Sequence, residues 1–143
     1  MPTLPWTVPN APSGHETALI MASRFEVRSF KDVPRFFFHS LMVWRQVRKA
    51  PGAFGASLVA RPLKRTFQTL SAWEGREQLT TFVKAEPHRS TMTSMRPTMS
   101  GSTFVFWDAD AAQLPISWAE AERRIDEQAA KDAQRDAQGE PTG

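Results

Sequence analysis

Between Ala18 and Arg28 apolar side chains occupy both sides of an alternating pattern, with Leu19, Met21, Phe25 and Val27 on one face and Ile20 and Ala22 on the other. That period predicts a strand. Asp32 then stands where an N-cap would, and Pro34 falls in a first helical turn, where its missing amide does no harm. The following run has helical spacing. Val33, Phe36, Ser40, Val43 and Val47 make one stripe, Phe37, Leu41 and Trp44 a second, and Phe38 and Met42 a third. Pro51-Gly52 ends this helix near Lys49. Ala53–Ala60 and Thr66–Trp73 read as two strands. Only Pro62–Arg65 turns between them, which implies an antiparallel hairpin. A second helix is expected over Arg76–Ala85. Pro87 interrupts it, and a further helical piece covers His88–Arg96. Ser102–Trp107, rich in aromatic and β-branched residues, is the last strand.

The order is β-α-β-β-α-β, the ferredoxin-like arrangement of an α+β domain. Ser117 is placed to cap an extra C-terminal helix running to about Ala130, and the polar, charge-alternating remainder to Gly143 is expected to fray. The chain thus divides into an extended, proline-rich arm (1–16), a domain (17–109), and a C-terminal helix with a polar tail (110–143). Trp6 is the residue that would pin the arm to the body.

Two helices cover one face of a four-stranded sheet and leave the other to solvent. Here both faces are apolar. Phe104 and Phe106 point one way along the last strand, Val105 and Trp107 the other. A bare face of that kind is rare on a soluble monomer, so a second copy is expected to cover it as a homodimer. The alternative cover is the C-terminal helix or the N-terminal arm.

Composition narrows the chemistry. The 143 residues include no cysteine, which excludes disulfides, thiolate metal sites and cysteine nucleophiles, and suits a cytoplasmic protein. No apolar run approaches the roughly 20 residues that cross a bilayer, so no membrane partner is expected. The segment Met1–Pro12 has four prolines and the pattern of neither a secretion signal nor an anchor. Residues 1–109 carry 14 Lys and Arg against 7 Asp and Glu, a net +7, whereas residues 110–143 carry 4 against 8, a net −4. A basic body attracts anions, nucleic acid among them. The third strand of the split βαβ, Thr66–Trp73, nevertheless lacks the Lys/Arg-Gly-aromatic motif of RNA-recognition domains, so nucleic acid is not the expected partner. There is no phosphate-binding glycine loop, dinucleotide fingerprint or nucleophile elbow, and no paired-carboxylate site. His15, His39 and His88 lack metal-ligand spacing, so no metal is expected. His15 lies in the arm, and His39 on the solvated side of the first helix.

The segment Thr69-Leu70-Ser71-Ala72-Trp73-Glu74, followed by Glu77, Leu79, Phe82 and Pro87-His88-Arg89, resembles the antibiotic biosynthesis monooxygenase superfamily of dimeric α+β barrels. Pro51-Gly52 ahead of Thr66–Trp73 looks like its spheroidene monooxygenase branch and related small proteins. The likeness covers roughly residues 17–109. It implies a small monooxygenase-like protein that binds an aromatic or polyketide-like molecule between sheet and helices. The alternative on the same fold is a non-catalytic ligand-binding or assembly dimer. A deprotonated substrate of this class itself reduces oxygen, so no cofactor is expected. Haem stays open, because the spheroidene branch is associated with it, although haem-degrading relatives place the ligand His nearer the Trp than His88 stands to Trp73.

On this reading His88 and Arg89 are the catalytic candidates, His88 as base or orienting group and Arg89 or Arg24 as holder of the resulting anion. Trp73, Phe38, Met42, Arg24 and Met92 are the substrate-binding candidates. His88, Trp73, Phe38, Met42 and Met92 each have a plain structural role to set against this. His88 would cap the helical piece after Pro87, and Trp73 would be core. Phe38 and Met42 would be further core or a surface for a partner subunit. Met92, with Met95 and Met99, would fill gaps.

Overall fold

The computed structural model describes residues 3–8, 10, 11, 14, 16–86 and 88–137, with the backbone alone for Thr3, Leu4 and Pro5. His15, Pro87 and the last residues from 138 onward lie outside the described residues. The elements are β1 (Thr3–Thr7), β2 (Thr17–Val27), α1 (Val33–Val47), β3 (Ala53–Arg61), β4 (Thr66–Trp73), α2 (Arg76–Lys84), α3 (His88–Met95), β5 (Met99–Asp110) and α4 (Trp118–Ala137). The strands form one antiparallel sheet in the order β1-β3-β4-β2-β5. Four of them with α1 and α2 make the ferredoxin-like α+β fold that the alternating and helical runs predict. The fifth, β1, comes from the arm and adds to the edge of β3, with Thr3 opposite Val59.

Local sequence explains the breaks. Gly52 takes a φ of +78°, open to glycine at little cost, and its carbonyl receives the Glu74 amide at 2.7 Å, tying the end of α1 to the end of β4. Asp32 stands at the N-cap of α1 but makes no side-chain capping bond. Ser29 instead accepts from the Lys31 amide in the turn before it. Gly55 in β3 is a matter of space: a methyl group there would overlap the Trp6 ring.

The sheet has a core on each face. Phe25, Phe36, Phe67 and Met95 pack together under α1 and α3, and Val47, Ala53, Trp73, Leu79 and Phe82 under α1 and α2. On the opposite face Ala18, Ile20, Ala22, Leu70 and Ala72 pack against Ala121 and Ile125 of α4, with Trp6, Val105 and Trp107 at the margin. The face expected to need a second copy is therefore covered within the chain, by the C-terminal helix and the arm. Polar contacts at the same seam add to the apolar burial. Arg24 donates to Asp126 at 2.8 Å, Arg61 pairs with Glu122, and the Arg124 guanidinium lies 4.5 Å from the Trp107 ring centroid.

Ser117 caps α4 as expected, accepting from the Glu120 amide at 3.2 Å. The helix does not end near Ala130 but continues to Ala137. Alanines and one-turn side-chain pairs, Gln128 with Asp132 and Arg135 with Asp132, support the exposed final turns. Among the described residues no helix is long and apolar enough to cross a membrane.

Candidate functional site

Between the sheet and α1, α2 and α3 lies an apolar cavity of about 380 Å³. Its floor comes from side-chain alternation. Odd-numbered residues of β2 and β4 face the helices, which brings Met21, Ser23 and Phe25 beside Thr69, Ser71 and Trp73. The roof is the stripe of α1 that holds Phe36, Ser40, Val43 and Val47, together with His39 and Trp44. Leu79, Phe82 and Val83 of α2 and His88, Thr91, Met92 and Met95 of α3 close the side, with Arg96 just beyond. Phe104 and Phe106, each 41 % exposed, stand on the edge strand β5 at the remaining side. The Arg76 guanidinium sits 5.0 Å from the Phe106 ring centroid.

A few polar groups interrupt these apolar walls. Ser23 lies directly across the ladder from Thr69, and their hydroxyls are hydrogen-bonded to each other. Ser71 accepts from the Trp73 indole at 2.8 Å, which leaves its own hydroxyl proton to give. Such a row of hydroxyls in an apolar pocket orients a ligand while burial supplies the affinity.

His88 is built in from several sides. Gln46 of α1 accepts from the His88 amide at 2.8 Å and donates to the Phe82 carbonyl at 3.1 Å, which clamps the junction of α2 and α3. The His88 ring packs 5.1 Å from the Phe82 ring, which lies 5.0 Å from the Trp73 ring. Its Nδ1 is 3.1 Å from the Val83 carbonyl oxygen. A carbonyl only accepts, so Nδ1 carries the proton and, in the neutral ring, Nε2 keeps the lone pair. Burial pushes the His88 pKa below its ordinary value, and the Val83 bond only partly offsets this. The group is therefore a neutral imidazole at physiological pH, with Nε2 as its basic atom.

Three of the residues named from sequence come together at the cavity: His88, Trp73 and Met92. Trp73 is fully buried, so its role as core and its place in the cavity wall coincide. The others lie elsewhere. Arg24 is an even-numbered residue of β2, on the face with Ile20 and Ala22, where it bonds Gln68 at 3.1 Å and Asp126 beneath α4. Phe38 and Met42 occupy a stripe of α1 turned away from the sheet and are exposed, so they belong to neither core nor cavity. Arg89 follows His88 in sequence but points to a separate groove. Sequence reading missed His39, placed there on the solvated side, and also Ser23, Thr69, Ser71 and Arg96. The hydroxyl residues at 69 and 71, two apart and so on one face of the strand, were the available signal. Among the described residues no cluster of His, Asp and Glu could hold a metal ion.

No family model and no curated protein matches the sequence. Solved structures do. A protein assigned as an antibiotic biosynthesis monooxygenase from Caulobacter crescentus CB15 aligns with a TM-score of 0.59 at 16 % identity, over 66 % of this chain and 91 % of that one. SnoaB, a cofactor-independent oxygenase from Streptomyces nogalater, aligns with a TM-score of 0.56 at 15 % identity, over 71 % and 99 %. A conserved protein from Methanosarcina mazei Go1 aligns with a TM-score of 0.58 at 10 % identity, over 64 % and 92 %. At these identities the likeness is one of fold. It is the ferredoxin-like α+β fold that the resemblance read from the Trp73 and His88 segments implies.

Proposed function

We propose that this chain is a small monooxygenase that binds an aromatic or polyketide-like molecule in the cavity beneath α1. One observation carries the reading: a neutral His88, its Nδ1 tied to Val83, lines an apolar cavity with hydroxyls on its floor. The fold shared with a cofactor-independent oxygenase supports it. His88 Nε2 takes a proton from an activated methylene or phenol of the substrate. The Ser71 hydroxyl donates to the oxygen on which the negative charge settles, and the apolar walls keep water from quenching it. The electron-rich anion then reduces dioxygen. Overall a methylene and dioxygen become a ketone and water, which balances without another reductant.

Haem is the cofactor to test against this. His88 through Nε2 would hold its iron and Arg96, which also lines the cavity, would pair with its negative charge, so the residues present are compatible with it. Bound there, its iron would supply oxygen activation. The steps above use only the chain's own residues.

Anthrone, a flat aromatic ketone with an acidic methylene, is a suitable probe. Oxygen uptake matched by quinone absorbance, and lost in His88→Gln with the fold intact, is the expected result. Anthrone that neither binds nor turns over refutes the reading. A Soret band that forms on adding haemin and vanishes in His88→Gln would replace the cofactor-free version. A second reading, a non-catalytic binding protein, draws on the Val83 bond, since a neutral carbonyl raises the basicity of His88 less than a carboxylate would. Binding of anthrone without oxygen uptake selects it.

A further inference from the structure

Beside the cavity, along the end of α2 and the outer side of α3, runs a groove lined by Val83, Lys84, Arg89, Met92, Thr93 and Arg96. Val83, Met92 and Arg96 line the cavity too, so the two spaces share a wall. Lys84, Arg89 and Arg96 are exposed, and among the described residues none of them forms an ion pair. Among the described residues no carboxylate lines the groove. Three cations gathered without a counter-charge repel one another. Lys84 has a local reason for its place, since a cation suits the C-terminal end of α2. Arg89 has none: it stands in the first turn of α3, where the helix dipole disfavours positive charge. Helix stability does not call for this grouping, whereas an anionic ligand group would.

We infer that the groove is an anion subsite, and that the molecule whose apolar body fills the cavity carries a carboxylate, sulfate or phosphate held by Lys84, Arg89 and Arg96. The inference rests on the reading of the cavity as a site for an apolar ligand. The division of labour is physical. The body is buried where hydrophobic transfer is favourable, and the charge stays in an exposed groove where it keeps its water. Attraction in such a groove is modest and weakens with salt.

Two fluorescent probes share one body and differ by one charge: N-phenyl-1-naphthylamine is neutral, and 8-anilino-1-naphthalenesulfonate carries a sulfonate. Titration of the full chain with each is expected to show the sulfonate binding about tenfold more tightly at low salt, an advantage that shrinks as salt is added. A Lys84→Gln, Arg89→Gln double variant, changed only at exposed positions, should lose that advantage and keep its affinity for the neutral probe. Naphthoate and naphthyl phosphate should both displace the sulfonate better than 1-naphthol, and the stronger of the two identifies the tail as carboxylate or phosphate. If the neutral probe binds and the sulfonate binds no better, or if the double variant keeps the preference, the subsite is refuted and the cavity reading stands. If neither probe binds, both are refuted.

Discussion

At the scale of single residues, His88 carries the most specific consequences. Its pKa lies below the ordinary 6.5 because the folded chain buries the ring. The unfolded chain therefore binds a proton at a pH where the folded chain does not. The sign follows: stability is full above the ordinary histidine range and falls as the pH drops through 6.5 towards the lowered value. Urea unfolding from about pH 7 down to about pH 5 should show this loss in the native chain and a flatter profile in His88→Gln. Equal slopes would mean that the ring titrates as if free in solvent. Ser71 shows the same economy at a second residue. Its oxygen satisfies the buried Trp73 indole while its proton remains available.

Among the elements, α4 most changes the picture. Its sequence reads as a polar, charge-rich helix, yet Ala121 and Ile125 are fully buried against β2 and β4. Charged residues on the same helix reach the sheet through Arg61 and Arg24. The turns beyond Gln128 make mostly exposed, local pairs. A chain that stops after Gln128 should therefore melt within a degree or two of the full chain, since one-turn surface pairs are each worth only about 0.2–0.5 kcal/mol. Ile125→Ala should instead cost about 2–4 kcal/mol in denaturant unfolding, because it leaves a cavity under the helix. A small cost for Ile125→Ala would show that α4 docks through its ion pairs alone.

For the whole molecule, the question is what covers the second face of the sheet. α4 and Trp6 do so within one chain, so a second copy cannot use that face while α4 is docked. Removing residues 117–143 would bare Ala18, Ile20, Ala22, Leu70 and Ala72 together. Sedimentation equilibrium should then show the shortened chain self-associating at concentrations where the full chain associates less. Equal behaviour of the two would mean that the face is not adhesive, or that the full chain associates elsewhere. The cavity lies on the opposite face and is formed without α4, so the shortened chain should still bind the neutral naphthylamine probe if its fold survives.

The alternating runs around Ile20, Leu70 and Phe104, the helical stripes of α1 and the breaks at Pro51-Gly52 carry the ferredoxin-like order in the sequence itself, because strand and helix periods are local properties of the chain. That Trp73, His88 and Met92 line one cavity was legible in part, His88 through its place after the Trp73-Glu74 segment and Met92 as soft, adaptable apolar surface. The rest was decided by tertiary structure. Arg24 and Ser23 are neighbours in sequence, yet strand alternation sends one beneath α4 and the other to the cavity floor. Arg89 and His88 part in the same way around one turn of helix. Phe38 and Met42 look like core until the fold shows which side of α1 meets the sheet. A pattern of spacing tells which residues share a face, but only packing tells which face another element comes to cover, because that depends on contacts between segments far apart in the chain.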